Sequence, residues 1–230
     1  MEKIKKINDV YKIVLGTVAT ILTTFALDSV SQKIGDKGYA TLMTVLIVSI
    51  VIIILNQLAE SIFEKSTFIR KILFGDEFIE GWWYDISYNE QAGTVQHGVL
   101  ISISYEEWKY KVNGATYDTT GKRIATFKST DSNYSKRVLF FQYESHTRYQ
   151  ENFIELGINQ LCFDSPPTSY TGFYLDFGNS MRFKIYGDKV AENLVKENNN
   201  FKTNNDKKNF ILNKIEEFKQ NHTKVTTNNG

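Results

Sequence analysis

The first 59 residues contain two apolar segments without charged side chains, one over residues 13–27 and one within the run 38–59. A helix that crosses the hydrocarbon core needs about 20 mostly apolar residues, within a range of about 17–25. The second segment meets this length. The first meets it only if Val10 and Tyr11 join it and Lys12 extends to the interface. The pattern predicts a transmembrane hairpin over residues 1–59, with helices at about 10–30 and 38–57.

Two other interpretations of this region fit less well. A lysine-rich start before a short apolar stretch also resembles a signal peptide. However, residues 24–28 contain no clear cleavage site, and a second apolar segment follows soon after. A soluble helical hairpin is disfavoured because residues 42–55 are apolar almost all the way round a helix.

The distribution of basic residues predicts the orientation of the hairpin, because cytoplasmic flanks carry an excess of lysine and arginine. Both ends are basic, with Lys3, Lys5, Lys6 and Lys12 before the first segment and Lys65, Arg70 and Lys71 after the second. We therefore expect a multi-pass protein with cytoplasmic N- and C-termini. The single cysteine, Cys162, fits a reducing compartment.

The first apolar segment carries small and polar residues at a spacing of four: Gly16, Thr20, Thr24 and Asp28. Small residues at this spacing allow helices to approach closely, and threonines can hydrogen-bond between helices. The pattern predicts a face for self-association in the membrane. Threonine that is simply tolerated in a short span would give the same pattern.

The remaining chain predicts an all-β domain. Residues 60–80 form an amphipathic linker, and from Trp82 onward apolar residues recur with a period of two. We assign eight strands: 82–88, 97–105, 108–117, 124–130, 137–145, 152–163, 169–176 and 180–186. Short connections favour an antiparallel sheet, and eight strands close into a small barrel over residues 81–187. A two-sheet sandwich is the alternative. The asparagine-rich residues 188–230 are expected to form a flexible tail with a short helix at 208–220.

Charge and motif content narrow the function of this domain. Residues 81–186 carry ten basic and eleven acidic side chains, which argues against binding of DNA or RNA polymers. The sequence contains no nucleophile elbow, phosphate loop or dinucleotide fingerprint, and no cluster with metal-ligand spacing. We therefore expect a binding protein and not an enzyme, with no cofactor and no metal.

The candidate ligand-binding residues are aromatic and cationic. Aromatic rings stack on planar ligands such as nucleobases, and an arginine at a barrel mouth can hold a phosphate through paired hydrogen bonds. Aromatics in a small barrel also commonly form its core, and alternating cations commonly face water. The candidates are Trp83, Trp108, Tyr110, Tyr170, Tyr174, Arg182, Lys184 and Arg148.

The order of two apolar segments, amphipathic linker and strand-rich domain matches a known layout. The strand-rich domain opens with GWWY at residues 81–84, continues with YKVNGATYDTTGKRIATFKS at 110–129 and closes with SYTGFYLDFGNSMRFKIY at 169–186. Over residues 10–186 the chain resembles the two-transmembrane, β-strand-rich effectors associated with bacterial CD-NTases in CBASS antiphage defence.

The resemblance implies a bacterial inner-membrane protein. Its barrel would bind a cyclic di- or trinucleotide made by a partner CD-NTase, and the protein would then form homo-oligomers that disrupt the membrane and cause abortive infection. Two other functions fit the layout. One is a membrane-tethered barrel that transports a lipid or another apolar molecule, and the other is a structural membrane protein whose β domain recruits protein partners.

Overall fold

The fold is described from a computed structural model, which covers residues 11, 13–26, 29, 37–89, 94–147, 154–177 and 182–227. The chain divides into two compact units, Met1–Phe74 and Gly75–Gly230.

The first unit is helical. Helix α1 covers Ile13–Ala26, α2 covers Lys37–Lys65 and α3 covers Thr67–Phe74. Within α2, Thr41–Lys65 is long and apolar enough to cross a membrane. Helix α1 is apolar but shorter than a membrane span. One membrane-length helix is therefore supported among the described residues, and the predicted two-span hairpin stays a prediction.

The break between α2 and α3 is stabilised by a buried arginine. The Arg70 guanidinium donates hydrogen bonds to the carbonyl oxygens of Phe63, at 2.7 Å, and Glu64. These carbonyls belong to the last turn of α2, where main-chain acceptors lack partners within the helix. The sequence predicts an amphipathic helical linker here, and the structure divides that region at Ser66.

The second unit is built on a closed, antiparallel eight-stranded barrel in which each strand pairs with its sequence neighbours and β8 pairs with β1. This confirms the predicted barrel over the sandwich. The strands are β1 (Gly81–Asn89), β2 (Thr94–Glu106), β3 (Lys109–Asp118), β4 (Arg123–Ser135), β5 (Val138–Thr147), β6 (Ile154–Phe163), β7 (Ser169–Asp176) and β8 (Arg182–Lys189).

Strand β4 is longer than predicted, because residues 131–135 continue the strand where the sequence indicates a turn. A register shift between Ser129 and Asp131 keeps β4 paired with β5. Polar contacts to β3 hold this extension, since Lys109 Nζ lies 2.6 Å from Asp131 and the Ser132 hydroxyl donates to the Tyr110 carbonyl oxygen. Along this extension Asp131, Asn133 and Ser135 are exposed, whereas Tyr134 is buried on the other face of the strand.

The asparagine-rich tail contains more helix than predicted, and the predicted helix at 208–220 lies within a longer one. After β8 the chain forms α4 (Glu192–Glu197), a short 3₁₀ turn (Asn199–Phe201) and α5 (Asn204–Thr227). Ile211 and Ile215 of α5 are fully buried against the outer face of β1–β3, where Ile86 and Leu100 point outward. Burial of this apolar stripe offsets the low average hydrophobicity of the segment.

Candidate functional site

A cavity of about 280 Å³ lies inside the barrel at the end where β1 finishes and β2 begins. The other end is filled by apolar and aromatic side chains such as Trp83, Ile103, Leu139 and Phe163. The cavity is lined by inward-facing residues of all eight strands: Asp85, His97, Val99, Thr116, Ile124, Ala125, Phe127, Tyr143, Ser145, Thr147, Glu155, Asn159, Tyr174, Asp176 and Ile185.

The inner part of the cavity contains a buried carboxyl group. Asp85 is 2% exposed, and its Oδ2 accepts a hydrogen bond of 2.8 Å from the Tyr170 hydroxyl. Burial raises the pKa of Asp85 to about 7, although the Tyr170 hydrogen bond lowers it. Its other oxygen, Oδ1, has no hydrogen-bond partner among the described residues. The cavity therefore offers a buried acceptor whose charge depends on pH near neutrality.

A second cluster, beside Asp85, consists of His97 and the aromatic rings of Tyr174 and Phe183. His97 Nε2 lies 3.2 Å from the Tyr174 hydroxyl, and burial lowers the pKa of His97 to about 4. Neutral imidazole can accept a hydrogen bond from the Tyr174 hydroxyl at Nε2, with its own hydrogen on the other ring nitrogen. Tyr174 also stacks on Phe183, with ring centroids 4.8 Å apart and planes 12° apart. Tyr174 is the member of this pair that lines the cavity, and the Phe183 ring supports it.

The outer part of the cavity is acidic. The Tyr143 hydroxyl donates to Asp176, and burial together with the Asp176 charge raises the pKa of Glu155. Asn159 adds a buried carbonyl oxygen without a partner among the described residues. The lining contains three carboxyl groups and, in the described part of the chain, no lysine or arginine.

These groups define the ligand that the cavity favours. Unpaired buried acceptors are costly, so a bound molecule that donates hydrogen bonds removes an existing penalty. Carboxylates disfavour a phosphate in the same space. The volume lies near the lower end of the roughly 300–1,000 Å³ typical of small-molecule pockets. The arrangement suits a small planar ligand that carries N–H groups.

The structure separates the aromatic candidates. Tyr174 lines the cavity, and Tyr170 lies behind it and holds Asp85. Trp83 is fully buried in the core, where its indole N–H donates to the Ile79 carbonyl oxygen at 2.8 Å. Tyr110 is buried near Tyr105 and Tyr134 at the opposite end. Trp108 is 47% exposed in the turn between β2 and β3, also at that end.

The cationic candidates do not enter the cavity. Arg182 and Lys184 point outward from β8, with the Arg182 guanidinium 3.9 Å from the Phe173 ring centre and Lys184 Nζ 5.3 Å from that of Tyr186. Their neighbours Phe183 and Ile185 face inward. Neither side chain is among those that line the cavity, and their predicted role in ligand binding stays a prediction. Arg148 lies outside the described residues.

The carboxyl and amide groups of the cavity are not among the residues that the sequence predicts to bind a ligand. Each alternates with apolar residues on the inward side of its strand, as in Trp83-x-Asp85 and Asn159-x-Leu161. A polar residue in phase with buried apolar ones is the signal that could have found them. Asp176 stands at a strand end, where a turn role is the simpler interpretation of the sequence.

The proposed membrane face lies on the exposed side of α1. Gly16, Thr20 and Thr24 are exposed, and a side-chain carbon added at Gly16 would meet no atom within 4 Å. The hydroxyl groups of Thr20 and Thr24 donate to the carbonyl oxygens of Gly16 and Thr20, at 2.9 and 3.0 Å. The hydroxyls are thus satisfied within the helix. Asp28 lies outside the described residues.

The described residues contain no group of three or more histidine, cysteine, aspartate or glutamate side chains that could hold a metal ion. Comparison with known proteins adds no assignment: no protein-family model matches the chain, and no curated protein is found as a relative.

Proposed function

We propose that this protein is a bacterial antiphage effector whose barrel binds a cyclic oligonucleotide and whose helices then assemble and disrupt the inner membrane. The resemblance to CBASS effectors motivates this function. The observation that carries it is the cavity with unpaired acceptors on Asp85 and Asn159 beside the Tyr174–Phe183 stack. In this proposal one base of the ligand enters the cavity and the phosphates stay outside.

The chemistry of a nucleobase supports this binding mode. A base presents N–H donors on its edge, which complement buried acceptors, and a flat face that stacks on an aromatic ring. The volume of about 280 Å³ suits a base and not a whole cyclic dinucleotide. Because the lining is acidic, the phosphates would remain at the mouth.

The same lining argues against transport of an apolar ligand. A lipid chain in this cavity would cover Asp85, Glu155 and Asp176 without offering them hydrogen-bond donors. Burial of polar groups without compensating hydrogen bonds costs roughly 1–3 kcal/mol each in proteins. The structure therefore favours a polar ligand.

The helical unit supplies the membrane part of the proposal. Helix α2 is long enough to span, and α1 would complete a hairpin in the same membrane. The Tyr11 hydroxyl lies 3.5 Å from the Leu55 carbonyl oxygen, which supports an antiparallel pair. The less exposed positions recur at helical spacing on both helices: Leu15, Ala19, Leu22 and Ala26 on α1, and Thr44, Val48, Val51 and Ile52 on α2. Such seams are typical of packed helices.

A ligand can drive assembly only through different affinities for the separate and assembled states. Barrels that associate when occupied would raise the local concentration of their helices, so that weak contacts in the membrane become persistent. In this proposal, ligand binding at the cavity leads to helix assembly in the membrane without any catalytic step.

Calorimetry on the full-length protein in detergent micelles tests the ligand assignment. We expect heat of binding from at least one member of a panel of cyclic di- and trinucleotides. Tyr174→Leu removes one stacking ring, and the loss of about 1–3 kcal/mol predicts affinity lower by roughly 5- to 150-fold. Trp108→Leu is the matched control, because it removes an aromatic ring at the opposite end of the barrel.

Two results would contradict the proposal. One is the absence of binding across the whole panel by folded wild-type protein. The other is an equal loss of affinity in both leucine variants, which would show that the cavity is not the site. The membrane step is tested with dye-filled vesicles that contain the full-length protein, and the active nucleotide is expected to increase dye release.

A further inference from the structure

A second recess lies outside the barrel, between the turn that joins β3 to β4 and the beginning of α5. Its volume is about 570 Å³. The walls contain three cationic side chains, two asparagines and two hydroxyl groups: Lys122, Arg123, Lys208, Asn204, Asn205, Thr120 and Tyr117, with Gly121 at the turn. The recess differs in charge from the barrel cavity, whose lining is acidic.

The acidic side chains nearest to this recess are already engaged. Asp118 Oδ1 accepts hydrogen bonds from the main-chain N–H groups of Thr120 and Lys122, both at 2.9 Å, and from the Thr120 hydroxyl. Asp206 Oδ2 accepts from the main-chain N–H of Thr203 at 3.0 Å. Among the described residues no carboxyl group lines the recess itself. The wall therefore carries three cations, and the negative charge of Asp118, which interacts with Lys122, lies beside it.

One residue of the recess wall, Tyr117, carries a buried hydroxyl group. Tyr117 is 1% exposed, lines the recess and has no hydrogen-bond partner for its hydroxyl among the described residues. Burial raises the pKa of Tyr117, while the nearby Arg123 charge opposes this change. The hydroxyl is thus a neutral donor without an acceptor in the described part of the chain. Leaving such a group unpaired is unfavourable, so an anion that accepts its hydrogen bond would be stabilised.

The walls of the recess are held in place. Arg123 Nη1 donates to Asn204 Oδ1 at 2.9 Å, which joins β4 to the first turn of α5. Gly121 packs so closely on α5 that an added side-chain carbon would lie 2.7 Å from Leu212 Cδ1 and 3.0 Å from Lys208 Cε. The Arg123 guanidinium is therefore already oriented, which lowers the part of the binding cost that comes from ordering this side chain.

We propose that the recess formed by Tyr117, Lys122, Arg123 and Lys208 is a binding site for a phosphate group. Arginine offers a planar pair of donors to phosphate oxygens, lysines contribute point charges, and the Tyr117 hydroxyl adds a neutral donor. The site does not depend on the proposed function of the barrel cavity. Its phosphate can belong to a free anion or to a nucleotide.

Calorimetry with inorganic pyrophosphate on the full-length protein in detergent tests the site. We expect saturable binding that weakens when NaCl rises from about 50 to about 300 mM, because salt screens exposed charges. Arg123→Gln and Lys208→Gln should each weaken binding by roughly tenfold or more, since each removes a charge-assisted hydrogen bond. Tyr117→Phe keeps the ring and should weaken it by roughly threefold or more.

Lys128→Gln is the matched control, because it removes a cation from the same strand at a position that is paired with Glu144 at 3.5 Å. Its pyrophosphate affinity should stay within about twofold of wild type. Equal weakening by Lys128→Gln would indicate diffuse attraction only and would overturn the site. So would undetectable binding by folded wild-type protein, or unchanged affinity in both Arg123→Gln and Lys208→Gln.

A competition experiment identifies the source of the phosphate. If a cyclic dinucleotide displaces pyrophosphate and Arg123→Gln weakens both ligands, the recess holds the phosphates of the nucleotide. If pyrophosphate still binds at saturating nucleotide, the recess holds a separate anion. Either result supports the site, and pyrophosphate binding remains measurable even if no cyclic nucleotide enters the barrel.

Discussion

Asp85 and His97 both line the barrel cavity, and burial moves their pKa values in opposite directions. The pKa of Asp85 rises from 3.8 to about 7, so the folded protein holds a proton there that the unfolded chain has lost. The contribution of Asp85 to the free energy of unfolding therefore falls as pH rises from 3.8 to about 7. The pKa of His97 falls from 6.5 to about 4, so the unfolded chain holds the additional proton and stability rises with pH.

The two effects overlap between about pH 4 and 6.5, and each has a limit of about 1.4 kcal/mol per pH unit. We predict that they largely cancel in the wild-type protein. Asp85→Asn leaves the His97 effect, so the free energy of unfolding should increase from pH 5 to pH 6. His97→Gln leaves the Asp85 effect and should give a decrease. Urea unfolding of the full-length protein in micelles at both pH values measures these slopes.

Glu155 is present in all three proteins, so its own raised pKa adds the same slope to each. The comparison between variants therefore isolates the two residues of interest. Identical slopes in Asp85→Asn, His97→Gln and wild type would show that neither group changes its protonation on folding as proposed.

At this scale the sequence predicted residue types better than positions. The alternation of Tyr170 and Tyr174 correctly indicated inward-facing rings. Their separate environments could not be read from one strand, because Tyr170 meets Asp85 and Tyr174 meets His97 across the barrel. The outward direction of Arg182 was available in principle, since it alternates with the apolar Phe183.

At the scale of elements, the contact between β2 and α5 depends on a residue without a side chain. Gly98 lies beneath α5, where an added side-chain carbon would be 2.7 Å from Ile211 Cγ2 and 3.2 Å from Ile215 Cδ1. Glycine therefore allows the helix to pack on the strand. This close approach explains how a helix with few apolar residues can cover the outer face of the barrel.

We predict that Gly98→Ala lowers the free energy of unfolding by about 1–3 kcal/mol through overpacking. Ile211→Ala should lower it by about 2–5 kcal/mol through the loss of buried methyl groups. It also removes Cγ2, so the double variant should be more stable than the sum of the single effects by about 0.5–3 kcal/mol. Urea unfolding of the four proteins gives the coupling energy.

Asn213→Ala is the control on α5, because this side chain is exposed and its change should have little effect. Strict additivity of Gly98→Ala and Ile211→Ala would contradict the packing of α5 on β2. The sequence predicted the stripe of Ile211, Ile215 and Phe218, but not its partner. The outward apolar residues of β1–β3 alternate with inward ones that are also apolar, so the period alone did not identify a second buried face.

At the scale of the whole molecule, the barrel followed from strand count and short connections, whereas the hairpin depends on the weaker of two apolar segments. Helix α2 has the length of a span, and α1 is shorter than one. The small and polar residues that weaken α1 as a span make it suitable for close helix contacts. The number of spans and the mode of assembly are therefore linked questions.

The mode of assembly can be tested by a substitution at Gly16. We predict that Gly16→Ile weakens self-association of the full-length protein in lipid vesicles, because a branched side chain blocks close approach between helices. A side-chain carbon added there meets no atom within 4 Å, so the fold of one copy should be unaffected. Energy transfer between labelled copies, followed as lipid dilutes the protein, should decrease at lower dilution than in wild type.

Val14→Ile is the matched control for this measurement, since Val14 is 54% exposed and lies on nearly the opposite side of α1 from Gly16. It adds bulk to an exposed position without touching the Gly16 and Thr20 face. Association equal to wild type in Val14→Ile and weakened in Gly16→Ile would assign the contact to that face. Equal weakening in both variants would instead indicate that any added bulk on α1 disturbs assembly, and unchanged association in Gly16→Ile would remove this face from the contact.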